Sequence, residues 1–191
     1  TDLIGRFSSQ LGVTQAGILL RSENIFSTSL GEPMEPPDSM VIKSGISYSH
    51  RHSRNQVNLT INHTYEGKWV SLEGGFLLHY NSDLGAEPAL MPGLEANFRL
   101  SQHMRLFASI SRSMRMPTFT DLFYQGPTNI GNPLLIPEKA STLEMGISRM
   151  GTHFQSTLSG FYRQGRDLID WIWMEDEKWH TRNLTEIDAA G

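Results

Sequence analysis

The stretch MPTFTDLFYQGPTNIGNPLLIPEKASTLEMG, residues 116–146, decides how the rest of the chain is organised. Its prolines are Pro117, Pro127, Pro133 and Pro137. Each proline lacks a backbone donor and has a fixed φ, so no long strand can run through the first part of the stretch. Hydrophobic and aromatic residues between the prolines provide enough apolar area for the segment to fold back on itself. The sequence therefore predicts a structured loop between two strands, and long loops of this kind are usually functional.

Two runs in and beside this stretch carry a resemblance to a known family. Residues 115–124 read RMPTFTDLFY, and residues 131–138 read GNPLLIPE. An alternating strand follows, and residues 143–146 within it read LEMG. Taken in this order, the runs resemble a segment of TonB-dependent outer-membrane receptors, of the cobalamin and siderophore type.

The resemblance implies a fold and a function. Receptors of this family are β-barrels of about 22 strands with an N-terminal plug in the lumen. They import scarce large nutrients, namely ferric siderophores, haem or cobalamin, with energy from the TonB–ExbB–ExbD complex. The resemblance therefore implies outer-membrane lipid, this energy-coupling complex and a small-molecule nutrient as partners. It places the protein in the outer membrane of a Gram-negative bacterium.

Composition excludes several classes of protein. The 191 residues carry a formal net charge of -4, without acidic or basic blocks. A nucleic-acid-binding surface would show clustered lysine and arginine, so we expect no nucleic-acid partner. The chain has no cysteine, which excludes disulfides and thiolate metal sites.

Hydropathy is compatible with a membrane barrel. No run approaches the roughly 20 apolar residues that a membrane-spanning helix needs. The mean hydropathy is -0.33, and a transmembrane barrel keeps such a low value because every second residue faces a polar lumen. We expect residues 1–191 to be a partial barrel domain without signal peptide or plug domain, a fragment of a longer receptor.

The alternation of polar and apolar residues predicts long antiparallel hairpins. Short turns are expected near residues 12, 67, 102 and 151, and long loops near 29–53, 82–92, 115–138 and 175–178. Short and long connections alternate strictly, as in outer-membrane barrels with short periplasmic turns and long extracellular loops. The predicted fold is all-β: an antiparallel up-and-down transmembrane β-barrel segment with roughly nine strands.

Candidate ligand contacts are aromatic and polar residues of the long loops: Tyr48, Phe123, Tyr124 and Asn129. Asp121 lies three residues after Thr118, a spacing that favours capping of the loop's own backbone over ligand binding. No nucleophile elbow, zinc-protease motif or phosphate loop is present, so we expect no enzyme. The pair His50 and His52 lacks a third ligand, and we predict neither a metal site nor a cofactor.

Two other interpretations remain open. A soluble all-β carbohydrate-binding or adhesive module explains the alternation and the aromatic loops, but not the order of short and long loops. A passive porin is separated from a receptor only by the resemblance.

Five aromatic residues lie near predicted strand ends: Tyr65, Trp69, Trp171, Trp173 and Trp179. They are either lipid headgroup contacts or ordinary packing anchors.

Overall fold

The computed structural model describes residues 1–34, 41–42, 46–84, 87–151 and 154–191. In these residues the chain forms thirteen strands, one short helix and one 3-10 turn, Ser82–Leu84. The strands before the central loop are β1 (Asp2–Ser9), β2 (Gly12–Ser27), β3 (Glu32–Pro33), β4 (Val41–Ile42), β5 (Ile46–Ser47), β6 (His50–Glu66), β7 (Val70–Asn81), β8 (Ala89–Ser101) and β9 (Met104–Arg115). Then follow α1 (Phe119–Phe123), β10 (Asn129–Ile130), β11 (Glu138–Met150), β12 (Gln155–Trp173) and β13 (Trp179–Ala190).

Nine long strands form one continuous antiparallel sheet in the order β1-β2-β6-β7-β8-β9-β11-β12-β13. Each long strand pairs with the next long strand of the chain, which is the predicted up-and-down topology. The short strand β3 pairs with β6, and β10 pairs with β13 in parallel. Within the described residues the sheet does not close on itself. The all-β barrel-wall fold is confirmed.

The register separates a polar face from an apolar face. Directly paired residues point the same way, so the pairs Asn58↔His79 and Glu73↔Glu95 lie on one face. The pairs Leu59↔Leu78 and Leu94↔Ile110 lie on the other. We call residues 116–137 the central loop. The face that carries this loop is the inner face, and its opposite is the outer face.

The outer face exposes a broad apolar surface. Leu59, Leu94, Ile110 and Met145 are 41%, 53%, 56% and 56% exposed. Among the described residues the buried hydrophobic side chains are only Leu122, Leu135 and Ala140. The first two belong to the central loop. The apolar residues of the strands are therefore turned away from the protein interior, an arrangement that suits a lipid environment.

The connections alternate in length as predicted. Residues 10–11, 67–69 and 102–103 connect β1–β2, β6–β7 and β8–β9. Residues 28–49, 82–88, 116–137 and 174–178 make the longer connections at the opposite end of the sheet. Gly12 enters β2 with a φ of 126°, a conformation that glycine adopts readily. None of the helices in the described parts of the chain is long and apolar enough to cross a membrane.

Two of the expected long loops begin or end at different residues in the structure. The loop expected at 29–53 ends before His50, because residues 50–53 continue β6 and pair with β2 down to Ser27. Backbone pairing tolerates their polar side chains. Residues 35–40 and 43–45 of the expected loop lie outside the described residues. The loop expected at 82–92 ends before Ala89, and Pro92 lies opposite Phe76 within β8. There the outer-face alternation continues, and the β7–β8 ladder runs through both neighbours of Pro92, Met91 and Gly93, although Pro92 itself lacks a donor.

Candidate functional site

The central loop begins with a capped helical turn. Thr118 precedes α1, and its hydroxyl accepts a hydrogen bond from the Asp121 backbone N–H at 3.1 Å. The Asp121 carboxylate accepts one in return from the Thr118 N–H at 2.9 Å. This reciprocal pair is a capping box, and it satisfies two donors that the start of a helix leaves free. The predicted capping role of Asp121 is confirmed.

Arg115 ties the two ends of the central loop together. Its guanidinium lies 2.5 Å from Glu138 and 3.5 Å from Asp121. Glu138 also accepts a hydrogen bond from the Ile169 backbone N–H of β12 at 2.8 Å. The side chain of Arg115 is 46% exposed, so its ion pairs contribute less through charge than through fixing the geometry.

Arg54 of β6 anchors the loop on one side. Its Nε donates to Asp83 Oδ2 at 2.7 Å, and its Nη1 donates to the Pro117 carbonyl at 3.0 Å. The guanidinium also lies over the Phe119 ring, 4.6 Å from the centroid. Arg54 is only 4% exposed. A buried charge needs a partner of opposite sign, and Asp83 supplies it.

His52 and Asp83 complete this attachment, which we call the β6 anchor (His52, Arg54, Asp83, Phe119 and Phe123). The His52 ring packs against Phe119 and Phe123 with centroid distances of 5.4 and 4.6 Å, and its Nε2 lies 3.2 Å from Asp83 Oδ2. Burial favours the neutral carboxyl, but hydrogen bonds and positive charge from Arg54 and His52 outweigh burial, so the pKa of Asp83 is lowered.

The opposite side of the loop is held by neutral groups of β13, which we call the β13 anchor (Thr181 and Asn183). The Thr181 hydroxyl donates to the Asp121 carbonyl at 2.7 Å. The Asn183 amide accepts from the Ile136 N–H at 3.0 Å and donates to the Ile136 carbonyl at 2.8 Å. Asn183 also donates to the Asp167 carbonyl at 2.7 Å. The loop thus contacts two strands that lie far apart in the sheet.

The four residues predicted to contact a ligand lie in the long connections, but their surroundings differ. Phe123 is half-buried against His52 and belongs to the β6 anchor. Asn129 is half-buried and starts β10, opposite Trp179. Tyr48 is half-buried just before β6. Tyr124 is 37% exposed. The structure brings together Phe123 and Tyr124 at the end of α1, and it does not bring Tyr48 into a hydrogen bond with either of them in the described residues.

Sequence reasoning missed both anchors. Arg54 lies 63 residues from Pro117, and Thr181 lies 60 residues from Asp121. No local motif signals contacts over such separations. One available clue was the position of Arg54, a long cationic side chain on the polar face near the long-loop end of a strand.

The histidine pair considered as a metal site has another role. His50 and His52 lie on the inner face of β6, and His52 is part of the β6 anchor. Among the described residues no group of three His, Cys, Asp or Glu side chains is arranged to hold a metal ion.

Register also decides where the aromatic residues near strand ends lie. Trp171 pairs with Thr181, which contacts the central loop, so Trp171 lies on the inner face. Trp173 and Trp179 pair directly on that same face, with ring centroids 5.4 Å apart. These three tryptophans therefore do not meet lipid headgroups. Tyr65 lies on the outer face beside the short turn at residues 67–69, a position that fits a headgroup contact.

Comparison with known proteins places this geometry in a family. The model of the TonB-dependent receptor-like β-barrel matches residues 36–175. The vitamin B12 transporter BtuB of Vibrio vulnificus strain YJ016 is 34% identical over 71 residues, which are 37% of this chain and 11% of that protein. Its name identifies a transporter rather than an enzyme.

Solved receptor structures share the fold across the whole chain. The siderophore receptor PirA from Pseudomonas aeruginosa superposes with a TM-score of 0.79 at 18% identity, and the alignment covers 100% of this chain and 34% of that one. The PirA receptor from Acinetobacter baumannii gives 0.72 at 13% identity, with coverages of 100% and 32%. A ferric enterobactin receptor PfeA mutant from Pseudomonas aeruginosa gives 0.74 at 16% identity, with coverages of 100% and 31%.

The chain spans about a third of the length of these receptors. The comparisons give no support to the soluble carbohydrate-binding or adhesive module. The nine-stranded wall, its apolar outer face and the matched family model agree with one another. The chain belongs to the TonB-dependent receptor-like β-barrel family.

Proposed function

We propose that this chain is part of an outer-membrane receptor for the active uptake of a scarce large nutrient. The observation that carries the proposal is the pairing of an apolar outer face with a polar inner face that bears a structured loop. Such a wall separates lipid from a lumen. The residue-level match to the receptor family adds the expectation of transport.

The proposed location is the outer membrane of a Gram-negative bacterium, with lipid against the outer face. The whole receptor is a barrel of about 22 strands, to which this region contributes nine. Uptake draws energy from the TonB–ExbB–ExbD complex. The nutrient is a ferric siderophore, haem or cobalamin, and the relatives named above include both vitamin B12 and siderophore proteins.

We assign ligand contact to the long-loop end of the inner face, with Tyr48, Phe123, Tyr124 and Asn129 as contacts. Tyr124 is the most accessible of the four, and it extends from the end of a turn that both anchors hold in place. A fixed aromatic side chain loses little conformational entropy when a ligand packs against it. Phe123 and Asn129 also support the loop, so replacing either residue would alter the loop conformation as well as the ligand contact.

The test is ligand binding by the full-length receptor carrying Tyr124→Ala. We expect affinity for the transported nutrient to fall about tenfold, the equivalent of about 1.4 kcal/mol. Tyr65→Ala is the matched control, because Tyr65 is 39% exposed but lies on the outer face at the opposite end of the wall. Unchanged affinity in Tyr124→Ala and in the Phe123→Ala/Tyr124→Ala double variant would show that these residues do not contact the ligand.

A separate growth experiment tests transport itself. Deletion of the receptor should abolish growth on one nutrient of the three classes when that nutrient is the only source of iron or cobalamin. Loss of the same growth on deletion of TonB distinguishes an active receptor from a passive porin. Growth that does not depend on the receptor for any of these nutrients contradicts the proposal.

A further inference from the structure

Three polar atoms beside the β6 anchor are buried and find no hydrogen-bond partner in the described part of the chain. They are Arg54 Nη2, His79 Nε2 and Asn81 Nδ2. The three residues are 4%, 7% and 0% exposed. Leaving a buried polar atom without a partner is unfavourable, so three such atoms in one patch indicate a bound group.

The three residues belong to one patch of the inner face. Asn81 and His79 pair with Gln56 and Asn58 of β6, and Arg54 is the next inner-face residue before Gln56. Arg54 Nε donates to the Asp83 carboxylate, while Asn81 Oδ1 accepts from the Asp83 backbone N–H at 3.0 Å. Arg54 and Asn81 therefore meet at the same residue.

The hydrogen bonds already made fix what each free atom can do. Arginine nitrogens only donate, so Arg54 Nη2 is a donor. The Asn81 oxygen is occupied by Asp83, so its free nitrogen is also a donor. His79 Nδ1 faces the Asn58 side-chain oxygen and must donate to it, which leaves His79 Nε2 as an acceptor. A second proton on the His79 ring would place another positive charge beside Arg54.

We propose that this patch binds a single water molecule. The site offers two donors and one acceptor, and a water molecule, which can accept two hydrogen bonds and donate two, has a partner for each of these three atoms. An anion has no proton for His79 Nε2, and a metal cation is repelled by the two donors. Asp83 already balances the charge of Arg54, so the site attracts no further ion. A ligand hydroxyl has the same chemistry, but Pro117 and Phe119 of the central loop lie against Arg54.

The water links the wall to the loop. It joins Asn81 and His79 of β7 to Arg54, and Arg54 in turn holds the Pro117 carbonyl. The β6 anchor then rests on a bound water as well as on the ion pair. The three atoms would hold this water whichever nutrient the receptor transports.

The primary test is a high-resolution crystal structure of the full-length receptor, without ligand and after soaks in bromide and in rubidium. We expect one density peak within about 3.2 Å of all three atoms in the unsoaked crystal, and no anomalous signal there after either soak. A peak with bromide or rubidium signal would overturn the proposal in favour of an ion. So would an unsoaked crystal without such a peak, or with a protein side chain in its place. A peak that appears only when the nutrient is bound would assign the site to a ligand hydroxyl instead.

A second measurement uses melting temperatures of His79→Phe, Asn81→Leu and the double variant. Because each replacement removes one partner of the same water, the double variant should lose less than the sum of the two single losses. Additive losses overturn the proposal. The control pair combines His79→Phe with Asn62→Leu, an exposed asparagine on the same face of β6, and we expect additivity there.

Discussion

The two anchors of the central loop hold it by different physical means. The β6 anchor uses a buried ion pair and aromatic rings, through Arg54, Asp83 and His52. The β13 anchor uses uncharged side chains, Thr181 and Asn183, that bond to backbone groups of the loop. Removing one partner of a buried ion pair leaves an uncompensated charge, so it destabilises the attachment more than the loss of a neutral hydrogen bond does. A charged attachment also depends on pH, whereas a neutral one does not. The comparison thus predicts two sides of one loop with different sensitivities.

Arg54→Leu should have the largest effect. It leaves Asp83 without its buried partner and removes the donor to the Pro117 carbonyl. We expect the β6 side of the loop to open more readily by about 3 kcal/mol, seen as faster hydrogen exchange at residues 118–124. The matched control is Arg21→Leu, because Arg21 pairs with Glu23 but its side chain is 63% exposed. Equal exchange at residues 118–124 in the two variants would mean that the buried Arg54–Asp83 ion pair does not stabilise the loop.

Asn183→Ala should come next. It removes three hydrogen bonds, two with Ile136 and one to the Asp167 carbonyl. These groups are uncharged and partly accessible to water, so we expect a loss of about 2 kcal/mol. Hydrogen exchange should accelerate at Ile136 and stay unchanged at residues 118–123. If the whole loop opens together, the two anchors are one cooperative unit and the comparison fails.

Lowered pH should have the smallest effect and, of the two anchors, should act on the β6 anchor alone. The pKa of Asp83 lies below its ordinary value of 3.8 in the folded protein. A lowered pKa means that the stabilisation is complete above the unfolded value and is lost as the pH falls through the folded one. Exchange at Phe119–Phe123 should therefore accelerate as the pH drops below about 4, after correction for the intrinsic rate. Asp83→Asn should remove this dependence, and a dependence that persists in the variant would assign it to another group.

Much of the wall could be predicted from the sequence because the alternation of polar and apolar residues within a strand shows which side chains share a face. The alternation Val57, Leu59, Ile61 against Asn58, Thr60, Asn62 is local, and the turns after it are marked by glycine and polar residues. The order of short and long connections could then be predicted from the positions of the strands and turns. The capping role of Asp121 was predictable for the same reason, since its partner lies three residues away.

The anchors could not be predicted because they depend on register. Whether Arg54 reaches Pro117 depends on how three strand pairs align between them. The inner position of Trp171 could not be predicted from the sequence. Apolar residues occupy both faces from Leu168 to Trp173, so polar and apolar residues do not alternate there. Asp167, with a φ of 56°, adds a local irregularity just before this run.

The attachment of the loop to the last strand has a consequence for the order of assembly. Nearly every ladder in the sheet joins strands that follow one another in the chain, so hairpins can form successively from the amino-terminal end. Thr181 and Asn183 are exceptions, because they contact residues 60 and 47 positions earlier. These contacts do not exist until β13 has joined β12. The β13 side of the central loop therefore docks only after β13 has joined β12, whereas the contacts of the β6 anchor can form before that step.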